Sequence, residues 1–136
     1  MTARGLQRIA LLALEGLGAA SAVGGGIAMM AGTISLPSDW LVGTPFGSYT
    51  GPALILALAT GGSQLAALAA DLRREPWAAL ASGFAGCVMM GWIVGELILV
   101  GSEPGIMRNL QIAMFAIGLL EAALAALELR ARPATV

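Results

Sequence analysis

Apolar residues fill this chain in four long runs, at about 9–31, 52–70, 77–100 and 110–127, separated by short polar breaks. Each run is close to the ~20 residues that carry an α-helix across ~30 Å of hydrocarbon. A backbone surrounded by lipid has to satisfy its own hydrogen bonds. The pattern therefore predicts an all-α fold, a transmembrane four-helix bundle that occupies residues 1–136 as a single integral membrane domain. The turn between the second and third runs, Asp71-Leu72-Arg73-Arg74-Glu75-Pro76-Trp77, is short enough to make those two helices antiparallel neighbours. The connection 32–51 is long for a compact bundle and carries Trp40, Phe46 and Tyr49. These aromatics are expected to anchor the loop at the outer interface, with a lid over the bundle mouth as the alternative.

Small residues recur at four-residue spacing in every run, and lipid-embedded helices associate through close backbone approach at such residues. The stripes are Gly18, Ala22, Gly26 in the first run and Gly62, Ala66, Ala70 in the second; the third has Gly83, Cys87, Gly91, Gly95 and the fourth Gly118, Ala122, Ala126. They predict a tight bundle, and a homo-oligomer or a partner membrane protein if one stripe faces outward. The inward sides of the last two helices read Ser82, Gly86, Met89, Ile93, Glu96 and Gln111, Gly118, Glu121, Ala125, Glu128.

Composition agrees: 58% of residues are hydrophobic and 11% charged, which leaves no competing soluble reading. The placement of charge says more than the net value of −1. Arg4, Arg8, Arg73, Arg74, Arg130 and Arg132 fall on one face of the predicted bundle and only Arg108 on the other. Basic loops stay cytoplasmic, so both tails are expected inside, in a bacterial cytoplasmic membrane, with the 32–51 loop outside. The first run is expected to remain as an uncleaved span, since Glu15 interrupts it and apolar character continues beyond Ala20-Ser21-Ala22. The chain lacks histidine and has one cysteine, Cys87. That weighs against a haem, a typical zinc site, a histidine proton relay and thiol–disulfide chemistry, so neither metal nor cofactor is expected. The arginine doublet is a topology signal rather than a nucleic-acid patch.

The candidate chemistry lies in the polar residues inside the spans. At 1.5 Å per residue, Glu15, Gln64 and Glu121 fall in one layer roughly 10 Å above the inner surface. An ionised side chain at such depth costs at least ~2.5–3.5 kcal/mol. With no arginine at their level, at least one of the two carboxyls is expected to keep its proton, and Gln64 to bridge them. This inner layer is either a structural lock or a proton-responsive or cation-binding site. An outer layer comprises Glu96, Arg108 and Gln111, read as a Glu96–Arg108 ion pair or as the polar end of an amphiphile-binding pocket.

The segment Gly43-Thr44-Pro45-Phe46-Gly47-Ser48-Tyr49, the following Pro52 and Gly61-Gly62, and Trp92-Ile93-Val94-Gly95-Glu96 resemble a widespread group of small bacterial four-span membrane proteins. The resemblance implies the architecture and lends weight to Glu96, but implies no activity. More loosely, the chain is similar to small multidrug resistance transporters, which use a carboxylate in the first span for proton-coupled export; Glu15 fits that position. The functional expectation is a non-enzymatic integral membrane protein, an accessory or packing subunit in contact with the lipid bilayer. The alternatives are a small proton-linked transporter or binder of an amphiphilic molecule, and a membrane-embedded enzyme that uses Glu96 as acid or base.

Overall fold

A computed structural model describes residues 1–134 and shows four long helices: α1 (Ala3–Ala31), α2 (Thr50–Leu72), α3 (Ala78–Leu99) and α4 (Ile106–Ala131). All four are long and apolar enough to cross a membrane. The chain is thus a multi-pass integral membrane protein built as a four-helix bundle. Helices α1 and α4 outrun their apolar stretches because hydropathy marks the hydrocarbon thickness, whereas a helix continues wherever its hydrogen bonds are completed. Thr2 starts α1 six residues before the apolar run, its hydroxyl accepting the Gly5 amide at 3.1 Å. At the far end α4 continues to Ala131, with Arg130 in its last turn. The α1 N-terminus, the α2–α3 turn and the α4 C-terminus share one end of the bundle, where Arg4, Arg74 and Arg132 line a common cavity.

Helix α2 is interrupted midway by a wide π-helical turn, Leu56–Gly61. Here α1 comes very close: a Cβ on Gly61 would lie 2.6 Å from Val23 Cγ2, and one on Gly26 would lie 2.7 Å from the Ala53 carbonyl oxygen. Helices α3 and α4 meet still more closely, glycine to glycine. A Cβ on Gly86 would sit 2.5 Å from the Gly118 carbonyl oxygen, and one on Gly118 would sit 2.7 Å from that of Gly86. The interior is accordingly built of small residues such as Ala22, Ala53, Ala67, Ala79 and Ala85, with Leu11 and Met89 as its largest apolar side chains. Leu58, Phe84 and Ile98 point outward, toward lipid.

One of the four small-residue stripes, that of α3, is not the packing face the spacing predicts, and two others divide. Gly18, Ala22 and Gly26 are buried as expected. On α3, however, Cys87 and Gly91 are exposed and Gly83 only half-buried, while Ser82, Gly86, Met89 and Ile93 form the buried side. On α2, Ala66 is exposed but Ala70 is buried, and the interior is also met by Ala53, Leu56, Thr60, Gln64, Ala67 and Asp71. The fourth stripe divides, with Gly118 buried and Ala126 exposed. The inward sides drawn through the polar residues are the correct ones, because an uncompensated polar group determines helix rotation more strongly than a row of glycines.

Substitution at the glycine crossing tests this packing. Gly86→Ala should destabilise the bundle by about 1–3 kcal/mol through overpacking. Gly91→Ala, which meets nothing within 4 Å, should be neutral or stabilising by up to ~1 kcal/mol. Reversible unfolding in bicelles reads both values; equal effects would contradict the observed face.

Candidate functional site

Glu15, Gln64 and Glu121 are all fully buried, so α1, α2 and α4 do bring the predicted inner layer together. Gly18, one turn after Glu15, makes the space for the amide: a Cβ there would lie 2.8 Å from Gln64 Cδ. Gln64 Nε2 donates to Glu121 Oε2 at 2.8 Å and to the Ala85 carbonyl oxygen at 3.4 Å, tying α2 to α4 and α3.

Glu15 does not share that amide, contrary to expectation. Its Oε1 accepts from Ser82 Oγ, and its carboxyl faces that of Asp71. Ser82 Oγ also lies 3.3 Å from Asp71 Oδ2 and 3.1 Å from the Ala78 carbonyl oxygen. The layer is therefore two adjoining halves, Gln64–Glu121 and Glu15–Ser82–Asp71, because Ser82 and Asp71 approach Glu15 from the arginine-rich end. A hydroxyl has one proton to donate. It can serve one of these three acceptor oxygens at a time, so the Glu15 and Asp71 carboxyls compete with the Ala78 carbonyl for it.

Electrostatics point the same way. Arg8, at the mouth of this site, donates to the backbone oxygen of Asp71 at 2.8 Å and not to its carboxylate. Among the described residues the one ion pair is Arg132–Glu128, at the bundle end. Glu15 Oε2, Gln64 Oε1 and Glu121 Oε1 are buried with no hydrogen-bond partner. All three are acceptors, so the cluster has spare capacity for a donor. Among the described residues no group of three histidine, cysteine, aspartate or glutamate side chains is placed to hold a metal ion.

Asp71 links this cluster to the bundle end. It is 5% exposed, yet it lines a cavity of about 610 Å³ framed by Arg4, Arg8, Arg74, Glu75 and Arg132. The sequence reading missed it because Asp71 sits beside Arg73 and Arg74 in what reads as a solvated turn. The available signal was helical spacing: Asp71 follows Gln64 by two turns on the same face of α2. Ser82 stood on the predicted inward side of α3 without being assigned a role.

In the outer layer Gln111 Nε2 donates to Glu96 Oε2 at 3.3 Å and to the Gly101 carbonyl oxygen at 3.3 Å. The Glu96–Arg108 ion pair does not form. Arg108 lies in the first turn of α4, exposed, and folds back to Ser102, whose hydroxyl and carbonyl oxygens are each 3.4 Å away. Of the loop aromatics, Tyr49 bonds within the loop and Phe46 packs at the start of α2. Tyr49 donates its hydroxyl proton to the Pro37 carbonyl oxygen, Phe46 covers Gly51, and Trp40 sits half-buried in the short 3₁₀ turn Ser38–Leu41. Buried Met89 and Ile93 lie between the two layers on α3.

Compared with known families, curated proteins and solved structures, the chain matches none.

Gly18→Ala should crowd the Gln64 amide away from Glu121 and destabilise by about 1–3 kcal/mol. Combined with Gln64→Ala, which vacates the space, it should cost less than the two single changes added together. Strict additivity in the same unfolding assay would show that Gly18 does not hold the amide in place.

Proposed function

We propose that this protein is a small proton-linked transporter of an amphiphilic molecule in the bacterial cytoplasmic membrane, and that the inner cluster is its proton site. The observation that carries the reading is the set of three buried carboxyls, Glu15, Asp71 and Glu121, none of them in an ion pair and two, Glu15 and Glu121, with a spare oxygen, touching the arginine-lined end through Asp71. Intramembrane carboxyls of this kind mark proton pathways. Ser82 is suited to a relay, since a hydroxyl can accept a proton from Asp71 while donating its own to Glu15. The place of Glu15 in the first span matches the proton-coupling carboxylate of the small multidrug resistance transporters that the chain loosely resembles. Proton occupancy would decide how strongly α1 is held against α2 and α3, which is the kind of differential interaction a carrier needs to favour one state.

A second reading has its own support. The Gln64 amide joins α2, α3 and α4, as a structural lock in an accessory or packing subunit would, at ~0.6 kcal/mol per bond.

The two separate on isosteric variants. In reconstituted protein, infrared difference spectra on raising the pH should show loss of a protonated carboxylic C=O band. Glu15→Gln should remove part of that band, and Asp71→Asn should slow its exchange in heavy water, with stability changed by no more than ~1 kcal/mol. A band that neither variant alters would remove the proton-linked reading and leave the structural lock.

A further inference from the structure

Four of the seven arginines, Arg4, Arg8, Arg74 and Arg132, line the cavity at the bundle end. Two of them are engaged. Arg8 donates to the Asp71 backbone, while Arg132 donates to the Pro76 carbonyl oxygen and pairs with Glu128 at 3.0 Å. Arg4, from the first turn of α1, and Arg74, from the α2–α3 turn, make no side-chain hydrogen bond or ion pair among the described residues. The cavity thus has two uncommitted guanidinium groups on walls contributed by different segments.

Arg74 is unusual in a second way. Its φ of 56° is the one positive value on a non-glycine residue among those described. The Glu75 amide reaches back to the Ala70 carbonyl oxygen and the Arg74 amide to that of Asp71, closing α2 in a Schellman motif with Arg74 at the left-handed position. Glycine occupies that position without strain, whereas a side chain there costs free energy. The helix end accounts for the backbone conformation but not for an arginine in place of glycine there, with its side chain lining the cavity and no partner for it among the described residues.

We propose that the cavity binds a phosphate group between Arg4 and Arg74, supplied by the headgroup of an anionic phospholipid in the adjoining leaflet. Guanidinium groups match phosphate oxygens in a bidentate fork, and basic pockets between spans on the cytoplasmic side take anionic headgroups. The acidic residues of the lining do not cancel this. Glu128 is paired with Arg132, and the Asp71 carboxyl is turned inward to Ser82. Glu75 remains and favours a headgroup whose phosphate is followed by a hydroxyl donor, as in phosphatidylglycerol. The inference does not depend on proton exchange at the inner cluster.

The test uses the full chain in nanodiscs of phosphatidylcholine, phosphatidylcholine with phosphatidylglycerol, or phosphatidylcholine with millimolar inorganic phosphate. It reads the thermal midpoint and the lipid retained in native mass spectra. In wild type, phosphatidylglycerol should raise the midpoint and stay bound. Arg74→Gly should unfold no earlier than wild type in phosphatidylcholine alone, because glycine suits the left-handed position, while its phosphatidylglycerol affinity falls about ten-fold. Arg4→Gln should lose the same increment. A rise with inorganic phosphate alone that Arg74→Gly abolishes would support the same site with a soluble phosphate as its source. A phosphatidylglycerol effect of full size in both variants, or no effect of either probe on wild type, would overturn the proposal.

Discussion

Carboxyl groups enclosed in a lipid-embedded bundle without an ion-pair partner have to be held by hydrogen bonds, and this constraint organises the molecule. Ionised and unpaired, each would carry a cost of several kcal/mol. Turned inward and supplied with donors, they join the helices instead. Gln64 gives both amide protons, one to Glu121 and one to the Ala85 backbone, so a single side chain spans three helices. On the other half the Ser82 hydroxyl, with one proton to give, stands between the Glu15 and Asp71 carboxyls and so brings α3 against α1 and α2. Helix rotation follows from these contacts: the faces bearing Glu15, Gln64, Ser82 and Glu121 are the buried ones.

Close packing is the companion of that polarity. Lipid offers helices no hydrophobic reward for associating, so dispersion contacts at short range have to supply it. The crossing of Gly86 with Gly118 lies one turn above Ser82 and one turn before Glu121 in their helices, and Gly18 abuts Gln64 directly. Glycine at these points does two things at once. It lets backbones touch, and it leaves the volume that buried carboxyl and amide groups need.

Asp71 belongs to both halves of the functional picture. Its carboxyl meets Ser82 in the interior, its backbone oxygen takes Arg8, and it lines the cavity that Arg4 and Arg74 also line. An anion seated at that cavity would lie beside the outermost member of the buried carboxyl cluster. The two sites are therefore close enough to be coupled electrostatically, whatever enters the mouth.

The four spans and the burial of Glu15, Gln64 and Glu121 were legible in the chain, because hydrophobic length and rise per residue are local, additive properties. The inward faces of α3 and α4 were legible too, through their polar members. Partner choice was not. Glu15 bonds Ser82 and not Gln64, Arg108 folds back on Ser102 and not onto Glu96, and the stripe from Gly83 to Gly91 turns away from the core; each depends on where a side chain of another helix happens to end. The chain by its pattern alone placed Glu15, Gln64 and Glu121 in the interior but left Asp71 in a solvated turn. Which of these groups touch was settled by the packing of the helices, because a hydrogen bond is decided within an ångström and helical spacing fixes position no better than a turn.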